Sequence, residues 1–440
     1  MFDFIIIEFD NFLSYVNEVG PTKLIRIFWF FIIFELFRYL IIDLLALIFI
    51  STKRRFFKKN RIDAKRKLKM YNPLVSIIVP GKNEGKNIFK LTSSLKEQTY
   101  KNFELIIVDD GSDDNTEEIC KSLKKNGLLD LYIRNEVRGG KASGANTALR
   151  VASGELVVHL DADSSLDRDA IEQIILPFFE NPDVGAVGGN ILVRNYNESL
   201  ATILQGYEYS DAISIGRMTS SFLGTYRIIS GAFGAFRMDI LQKLQGWDIG
   251  PGLDGDITVK IRKMGYKIAF EDRAVCQTSV PNNFRKLTKQ RLRWDKSLIR
   301  FRLRKHKDVF LPNENFKFAN FFSFLENVTY TIVLNIKWYV YFIDLIVNFP
   351  SIFGIILIMN FFLYTFTNFF KLMVFNLFRE RNNAPISVYI PFVPLMVLYH
   401  GFYLRIVRTV AYIKELVWRS SYKDAWNPAK TSDKAREIGI

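Results

Sequence analysis

Two carboxylates close a short apolar run, Glu155-Leu-Val-Val-His-Leu-Asp161-Ala-Asp163. A run of this length reads as a buried strand. Residues two apart on an extended chain point to the same side, so Asp161 and Asp163 would converge just beyond the strand end. Two oxygens aimed at one spot suit Mg2+ or Mn2+, which completes its shell with water and substrate phosphate. A plain Asp-x-Asp turn is the other reading, because Asp populates turns freely.

Further stretches carry comparable chemistry. Asp109-Asp110-Gly-Ser112 offers acceptors for the sugar hydroxyls or base of a nucleotide. Gly139-Gly140-Lys141 opens a helix, where backbone N–H groups and the lysine favour a phosphate. The glycine spacing from Gly139 to Gly144 fits neither the dinucleotide fingerprint nor a P-loop. Read alone, Lys141 is equally a solvated lysine at a helix start. Pro251-Gly-Leu-Asp254-Gly-Asp256 is a turn-like loop entering an amphipathic helix. Asp254 or Asp256 would cap that helix, or one of them would act as general base on an acceptor hydroxyl. Gln290-Arg-Leu-Arg293-Trp294 puts two cations, an amide and an indole in five residues. Arginine clamps diphosphate and tryptophan offers a sugar a stacking face; the alternative is a basic amphipathic helix on a membrane surface. Ser230-Gly-Ala-Phe-Gly-Ala-Phe236 would let a flat ligand approach the backbone, but its spacing favours a tightly packed core strand.

The elements that must position these groups follow from the apolar pattern. Short apolar runs at 75–79, 105–108, 131–133, 156–160 and 184–187 alternate with amphipathic stretches near 87–98, 115–125, 141–152 and 168–180. This alternation predicts an α/β domain, a mostly parallel sheet with helices on both faces. Ligands on such sheets bind at the carboxyl ends of the strands. Asp109 and Asp110 close the second strand, and Asp161 and Asp163 the fourth, which favours the ligand reading over the turn.

Outside this domain the chain looks like a membrane protein. Of its 440 residues 49% are hydrophobic, and the 40 Phe and 19 Tyr concentrate at the two ends. The net charge of +15 is densest beside the first apolar run, which favours a membrane surface over nucleic acid. Cys120 and Cys276 lie far apart, giving neither a disulfide framework nor a zinc site, and His159, His306 and His400 are too scattered for a histidine-based site. The run 25–50 is long enough to cross a bilayer, which takes about 20 residues. It holds Glu35, Arg38 and Asp43, costly in lipid, and so should face other helices. The basic stretch from Lys53 to Lys69, opposed only by Asp63, marks a cytoplasmic flank and an external amino terminus. Three more spans are expected at 328–349, 352–375 and 386–413, with 316–325 lying in the interface. Arg379 and Arg381 suggest a cytoplasmic loop; three crossings would then leave the carboxyl end outside, whereas Arg405, Arg408, Lys414 and Arg419 argue that it stays inside. The expected divisions are an amino-terminal segment 1–52, a basic linker 53–73, a catalytic domain 74–305 and a membrane region 306–440.

In order along the chain, Val79-Pro80 with Asn83-Glu84, Val108-Asp-Asp-Gly-Ser112, Asp161-Ala-Asp163, Asp254-Gly-Asp256 and Gln290-x-x-Arg293-Trp294 resemble the membrane-embedded, processive family 2 glycosyltransferases. That group includes bacterial synthases of cellulose, hyaluronan, chitin oligosaccharide and poly-β-1,6-N-acetylglucosamine. The resemblance covers about 74–300. It implies a GT-A domain inserted between transmembrane helices of the inner membrane, with a UDP-sugar donor and a divalent metal. It places Glu84, Asp109 and Asp110 at the nucleoside, Lys141, Asp161 and Asp163 at the metal-diphosphate, Asp254 as base, and Gln290, Arg293 and Trp294 at the diphosphate and acceptor end. The product it implies is a growing β-linked polysaccharide exported through the membrane region, with lipids and accessory export subunits as partners. Asp167-Arg-Asp169, Asn181-Pro182 and Val184-Gly-Ala-Val-Gly-Gly189 look most similar to the N-acetylglucosamine polymer synthases. The chain departs from the pattern at Leu253, where the family usually has Glu, and at Lys82, often aromatic. Transfer of a single sugar to a polyprenyl-phosphate lipid, or an idle assembly subunit of the same fold, are the rival readings.

Overall fold

The computed structural model describes residues 2–249, 252–312, 317–378, 384–423 and 428–437; the loop arginines 379 and 381 lie outside them. Strands β1 (Val75–Gly81), β2 (Phe103–Asp109), β3 (Leu131–Arg134), β4 (Leu156–Leu160), β5 (Ser165–Leu166), β6 (Val184–Val193), β7 (Phe233–Arg237) and β8 (Lys267–Thr278) form one sheet. Its spatial order is β3-β2-β1-β4-β7-β6-β8-β5. The half β3-β2-β1-β4 is parallel throughout. In the other half β7 runs antiparallel to both β4 and β6, β8 is parallel to β6, and β5 pairs antiparallel with β8. The sheet is therefore mixed, and the expected parallel arrangement holds for the half that carries Asp109, Asp110 and Asp161.

Strands β1, β2 and β4 are apolar at almost every position because both faces are covered. On one face Ile77, Val79, Leu105, Ile107 and Val158 pack with Leu91 and Leu95 of helix Gly85–Lys96 and Ile171 and Ile174 of helix Ala170–Ile175. On the other, Ile78, Ile106, Val108 and Val157 meet Ala145 and Ala148 of helix α1 (Lys141–Val151) and Ile257 and Ile261 of helix α2 (Leu253–Lys263). Truncating any of the leucines or isoleucines among these to Ala would cost about 2–5 kcal/mol. The glycine-aromatic stretch before Phe236 is a buried strand, β7, as its spacing favoured. Opposite it, glycines of β6 make room for rings: a Cβ at Gly188 would sit 2.0 Å from the Tyr226 hydroxyl, and one at Gly189 2.2 Å from the Phe233 ring.

The basic stretch is helical from Lys58 to Tyr71; most of its bases are exposed, and Arg54, Arg61 and Lys65 turn onto the sheet domain. Arg61 pairs with Glu271 and Glu180 at 3.0 Å each, Lys65 with Glu172 at 3.0 Å, and Arg54 with Asp272. Among the described residues, three helices are long and apolar enough to cross a membrane: Phe318–Asn348, Pro350–Phe378 and Ile386–Trp418. The segment expected to lie in the interface continues straight into the first of them. The amino-terminal run carries too many charges to join that group, and it settles them against the other helices. Glu35 pairs with Lys371, while Arg38 reaches Asp43 at 3.1 Å and Glu326 at 2.7 Å. Ile27 and Phe30 pack with Tyr341, Leu345 and Ile356, so this segment faces protein, as its charges require.

Candidate active site

The carboxyl ends of β1, β2 and β4 gather the acids. At the end of β1, Glu84 precedes the Gly85–Lys96 helix; its backbone N–H donates to Thr116 Oγ1 at 3.0 Å and its Oε2 accepts from Asn87 Nδ2 at 2.7 Å. Burial, with Asp163, Asp161 and Asp114 nearby, pushes its carboxyl up to about 7. The neighbouring Lys82 turns to the Gly111 carbonyl at 2.5 Å and Asp113 at 2.8 Å, a surface tie in place of an aromatic face.

Asp109 and Asp110 are buried and committed to holding the loops around them. Asp109 accepts from the Ser112 N–H at 2.8 Å and the Tyr132 hydroxyl at 3.0 Å. Asp110 accepts from the N–H groups of Gly139 and Gly140 at 2.8 and 2.7 Å and from Asn135 Nδ2 at 3.2 Å. Asp110 therefore fastens the tip of β2 to the glycine turn that opens α1. Gly140, at φ +87°, needs the left-handed freedom glycine supplies. That turn delivers Lys141, whose Nζ lies 2.5 Å from Asp161 Oδ1.

Asp161 and Asp163 follow β4 with Ala162 buried between them. Thr278 of β8 donates to Asp163 Oδ1 at 3.3 Å. Burial and then Asp161 push the Asp163 carboxyl up to about 6. Three acids thus repel one another at the sheet edge, a deficit that a divalent cation relieves. Hard carboxylate oxygens of this kind fit Mg2+ or Mn2+ with the remaining positions left to water and phosphate; among the described residues no group of three or more metal-type side chains is set to enclose an ion by itself.

Asp254 and Asp256 part company in α2. Asp254 lies against the Gly231 backbone, where a Cβ would stand 2.4 Å from Oδ1. Burial raises its carboxyl; the cations Lys141 and Arg293 and the Gly231 N–H oppose that rise and Asp161 adds to it, which places Asp254 in one electrostatic cluster with all three side chains. Asp256 faces away, 2.7 Å from His306 Nε2 and 2.8 Å from Lys305 Nζ. Despite its burial, the His306 and Lys305 contacts hold its carboxyl far below the usual range. Residues two apart on a helix are about 200° apart around the axis, so one turn of α2 sends the two acids to different neighbourhoods.

Helix α3 (Phe284–Ile299) begins at an Asn283 cap, whose Oδ1 accepts from the Lys286 N–H at 2.9 Å. It presents Arg293 towards this cluster and packs Trp294 against Ile191, Val193, Tyr209 and Val280. Arg291, the other cation of the motif, turns inward: it sits 4.6 Å over the Trp294 ring and 2.8 Å from Glu208 Oε2. Gln290 carries a buried side-chain oxygen that no donor among the described residues meets.

Two residues outside the expected set support the cluster. Buried His159 has Nδ1 2.7 Å from the Gly231 carbonyl; a carbonyl only accepts, so that nitrogen carries the proton. Burial, then Lys141, lowers the imidazole to about 4, so it stays neutral and props the backbone against which Asp254 rests. Arg194 donates to the Asp163 carbonyl at 3.1 Å and the Gln277 carbonyl at 2.7 Å, tying the Asp163 turn to β8. A histidine inside an apolar strand two residues before Asp161 is the signal that could have found the first, which the scatter of the three histidines hid; nothing in the sequence singled out Arg194.

The mixed open sheet with helices on both faces, and acids and a lysine gathered at its carboxyl edge, is an α/β fold of the GT-A kind. Residues 76–245 match the family model described as glycosyl transferase family 2. The chain is 37% identical over 222 residues to a poly-beta-1,6-N-acetyl-D-glucosamine synthase of Staphylococcus epidermidis, covering 50% of this chain and 53% of that one. The synthase of the same name from Staphylococcus aureus is 34% identical over 214 residues, 48% and 51% of the two chains. The chain thus spans about half the length of the curated relatives it matches. In fold it is similar to a mannosyltransferase of Pyrobaculum calidifontis solved in complex with GDP-Man and Mn2+, with a TM-score of 0.54 and 22% identity over 86% of this chain and 99% of that one.

Proposed function

We propose that this protein is a processive, inverting β-glycosyltransferase of the inner membrane. It extends a polysaccharide from a UDP-sugar, with UDP-N-acetylglucosamine the donor favoured by the staphylococcal relatives, and passes the polymer out through its membrane region. The single observation that carries the reading is the Lys141–Asp161 ion pair at 2.5 Å at the carboxyl edge of the sheet, with Asp254 buried against Gly231 in the same cluster. Asp161 and Asp163, with Glu84 beside them, would hold Mg2+ or Mn2+, which when bound offsets the charge of the departing diphosphate. Lys141 and Arg293 add fixed positive charge at the same leaving group. Asp254 takes the proton of the acceptor hydroxyl. Attack on the face opposite an α-linked leaving group gives the β-linkage. Trp294 offers its ring to the acceptor sugar, and Asp109 and Asp110 shape the nucleoside side by holding its loops in place. The catalytic domain, 74–305, stands on the cytoplasmic side.

The test is transfer from individual radiolabelled UDP-sugars in membranes, with the product sized on a gel. A ladder of long chains from one donor supports the reading; one sugar per lipid overturns processivity, and no release of UDP from any donor in the presence of Mg2+ or Mn2+ overturns the activity. Asp254→Asn should lower turnover by at least about 100-fold while UDP binding persists. Full activity in that variant removes Asp254 from the role of base.

A further inference from the structure

Helix Ile386–Trp418 has the length and apolarity of a membrane span, but its neighbours do not suit a bilayer. Its second half lies beside α3 and the π-helical turn after it, Arg300–Lys305, in parallel from Tyr403 to Glu415, while Tyr389, Val393 and Met396 of its first half pack with Leu204 and Tyr207 of helix Leu200–Glu208. Tyr403 meets Thr288 at 2.8 Å and Leu404 packs with Leu287. Arg408 faces Asp295 at 3.6 Å, Ala411 and Tyr412 pack on Ile299, and Glu415 pairs with Arg304. Tyr399 and Arg291 share Glu208, each at 2.8 Å. About 20 helical residues cover about 30 Å, the thickness of the hydrocarbon core. The partner stretch 284–305 carries eleven Arg, Lys and Asp side chains in 22 residues, which a bilayer interior does not tolerate. A helix whose second half is bound to that stretch, and whose first half packs on Leu204 and Tyr207 of the catalytic domain, does not cross the core along its length.

Its outer face is apolar. Leu395, Leu398, Phe402, Ile406, Val410, Ile413 and Val417 are exposed, between 37% and 64%, and recur every three or four residues, one stripe of a helix. The chain beyond it returns to the catalytic domain. Tyr422 lies under Arg300 and Arg304, at 4.9 and 5.8 Å from its ring, and the Thr431 hydroxyl is 3.4 Å from the Gly139 carbonyl of the glycine turn. The end of the chain is therefore on the catalytic side. Helices Phe318–Asn348 and Pro350–Phe378 suffice to leave that side and come back; a third full crossing would strand the carboxyl end opposite.

We infer that Ile386–Trp418 lies in the plane of the membrane surface, its apolar stripe seated in lipid and its inner face cradling α3. The partner of this surface is the lipid leaflet on the catalytic side, and α3 carries Arg293 and Trp294, so the leaflet bears directly on the helix that lines the cluster. This settles the conflict posed by Arg405, Arg408, Lys414 and Arg419, which sit on a helix that never leaves the cytoplasmic face.

The test uses the full chain reconstituted in phosphatidylethanolamine–phosphatidylglycerol vesicles. An environment-sensitive dye is placed on single cysteines at Phe402, Ile406, Val410, Ile413 and Val417, with Ile336, Ile343 and Val347 of helix Phe318–Asn348 as references, and quenched by lipids spin-labelled at shallow or deep positions. The native cysteines are buried. The expected result is one shallow-to-deep quenching ratio at all five positions and a graded ratio along the reference helix. A ratio that passes through the bilayer centre between Leu395 and Trp418 overturns the inference, and absence of quenching at the reference positions overturns the membrane reading itself. As a second measurement, a cysteine at Lys423 and one at Lys125 of the catalytic domain should react with an impermeant thiol reagent from the same face; reaction from opposite faces also overturns it.

Discussion

At the scale of residues, the proposal rests on two aspartates that the motif alone left interchangeable. Asp254 sits where burial raises its carboxyl, and a base works only when deprotonated. Activity should therefore fall on acidification with a limb above the ordinary Asp value of about 4, read from the pH profile of kcat/KM. By linkage, stability should decrease as pH rises from that ordinary value to the raised one, because the folded state holds the proton more tightly. Asp256 behaves the other way. Its depressed carboxyl contributes stability that is complete above about pH 4 and is lost only as pH falls below it. The position of Asp161 and Asp163 just beyond a buried strand was legible in the apolar run before them, although they stand in a turn closed by the Ser164 N–H on the Asp161 carbonyl and not on an extended chain. The pair at 254 and 256 was not legible, since a loop and a helix start direct i and i+2 differently and the sequence does not say where α2 begins. The roles of Asp109 and Asp110 as loop fasteners were hidden for a similar reason. Their partners, Tyr132 and the Gly139–Gly140 amides, lie more than 20 residues downstream.

Elements carry the next set of consequences. Asp256 joins α2 to Lys305 and His306, just beyond α3, through a contact whose side chain is 7% exposed. Asp256→Asn should cost about 3–5 kcal/mol, the range for removing one partner of a buried ion pair. A thermal melt of the purified protein measures this, and the folded fraction should keep the pH profile of the parent. In β6, Gly188→Ala forces a methyl into the Tyr226 hydroxyl and should cost about 1–3 kcal/mol, the usual penalty of overpacking; Tyr226→Phe in the same chain should restore part of it. The parallel half of the sheet was readable from strand–helix alternation. The reversal at β7 was not, because a fully buried strand has the same composition whichever way it runs.

The whole molecule is held by ionic contacts between distant segments. Lys371→Ala would leave Glu35 without its partner among the membrane helices, and should lower the melting temperature in detergent by an amount corresponding to about 3–5 kcal/mol. Hydropathy made three candidate membrane helices easy to find, yet on our inference the third, Ile386–Trp418, lies along the surface because of the charged helix it packs on. Composition counts apolar residues and is blind to the neighbour a helix lies against. The same contacts bear on how the protein is made. Arg38 has Asp43 within five residues, so that part of the first span is compensated as soon as it emerges from the ribosome. Glu35 waits for Lys371, 336 residues later, while the entire catalytic domain is synthesised in between. The first helix should therefore linger at the insertion machinery, crosslinkable there in nascent chains that stop before Lys371 and released to lipid in chains that extend past it.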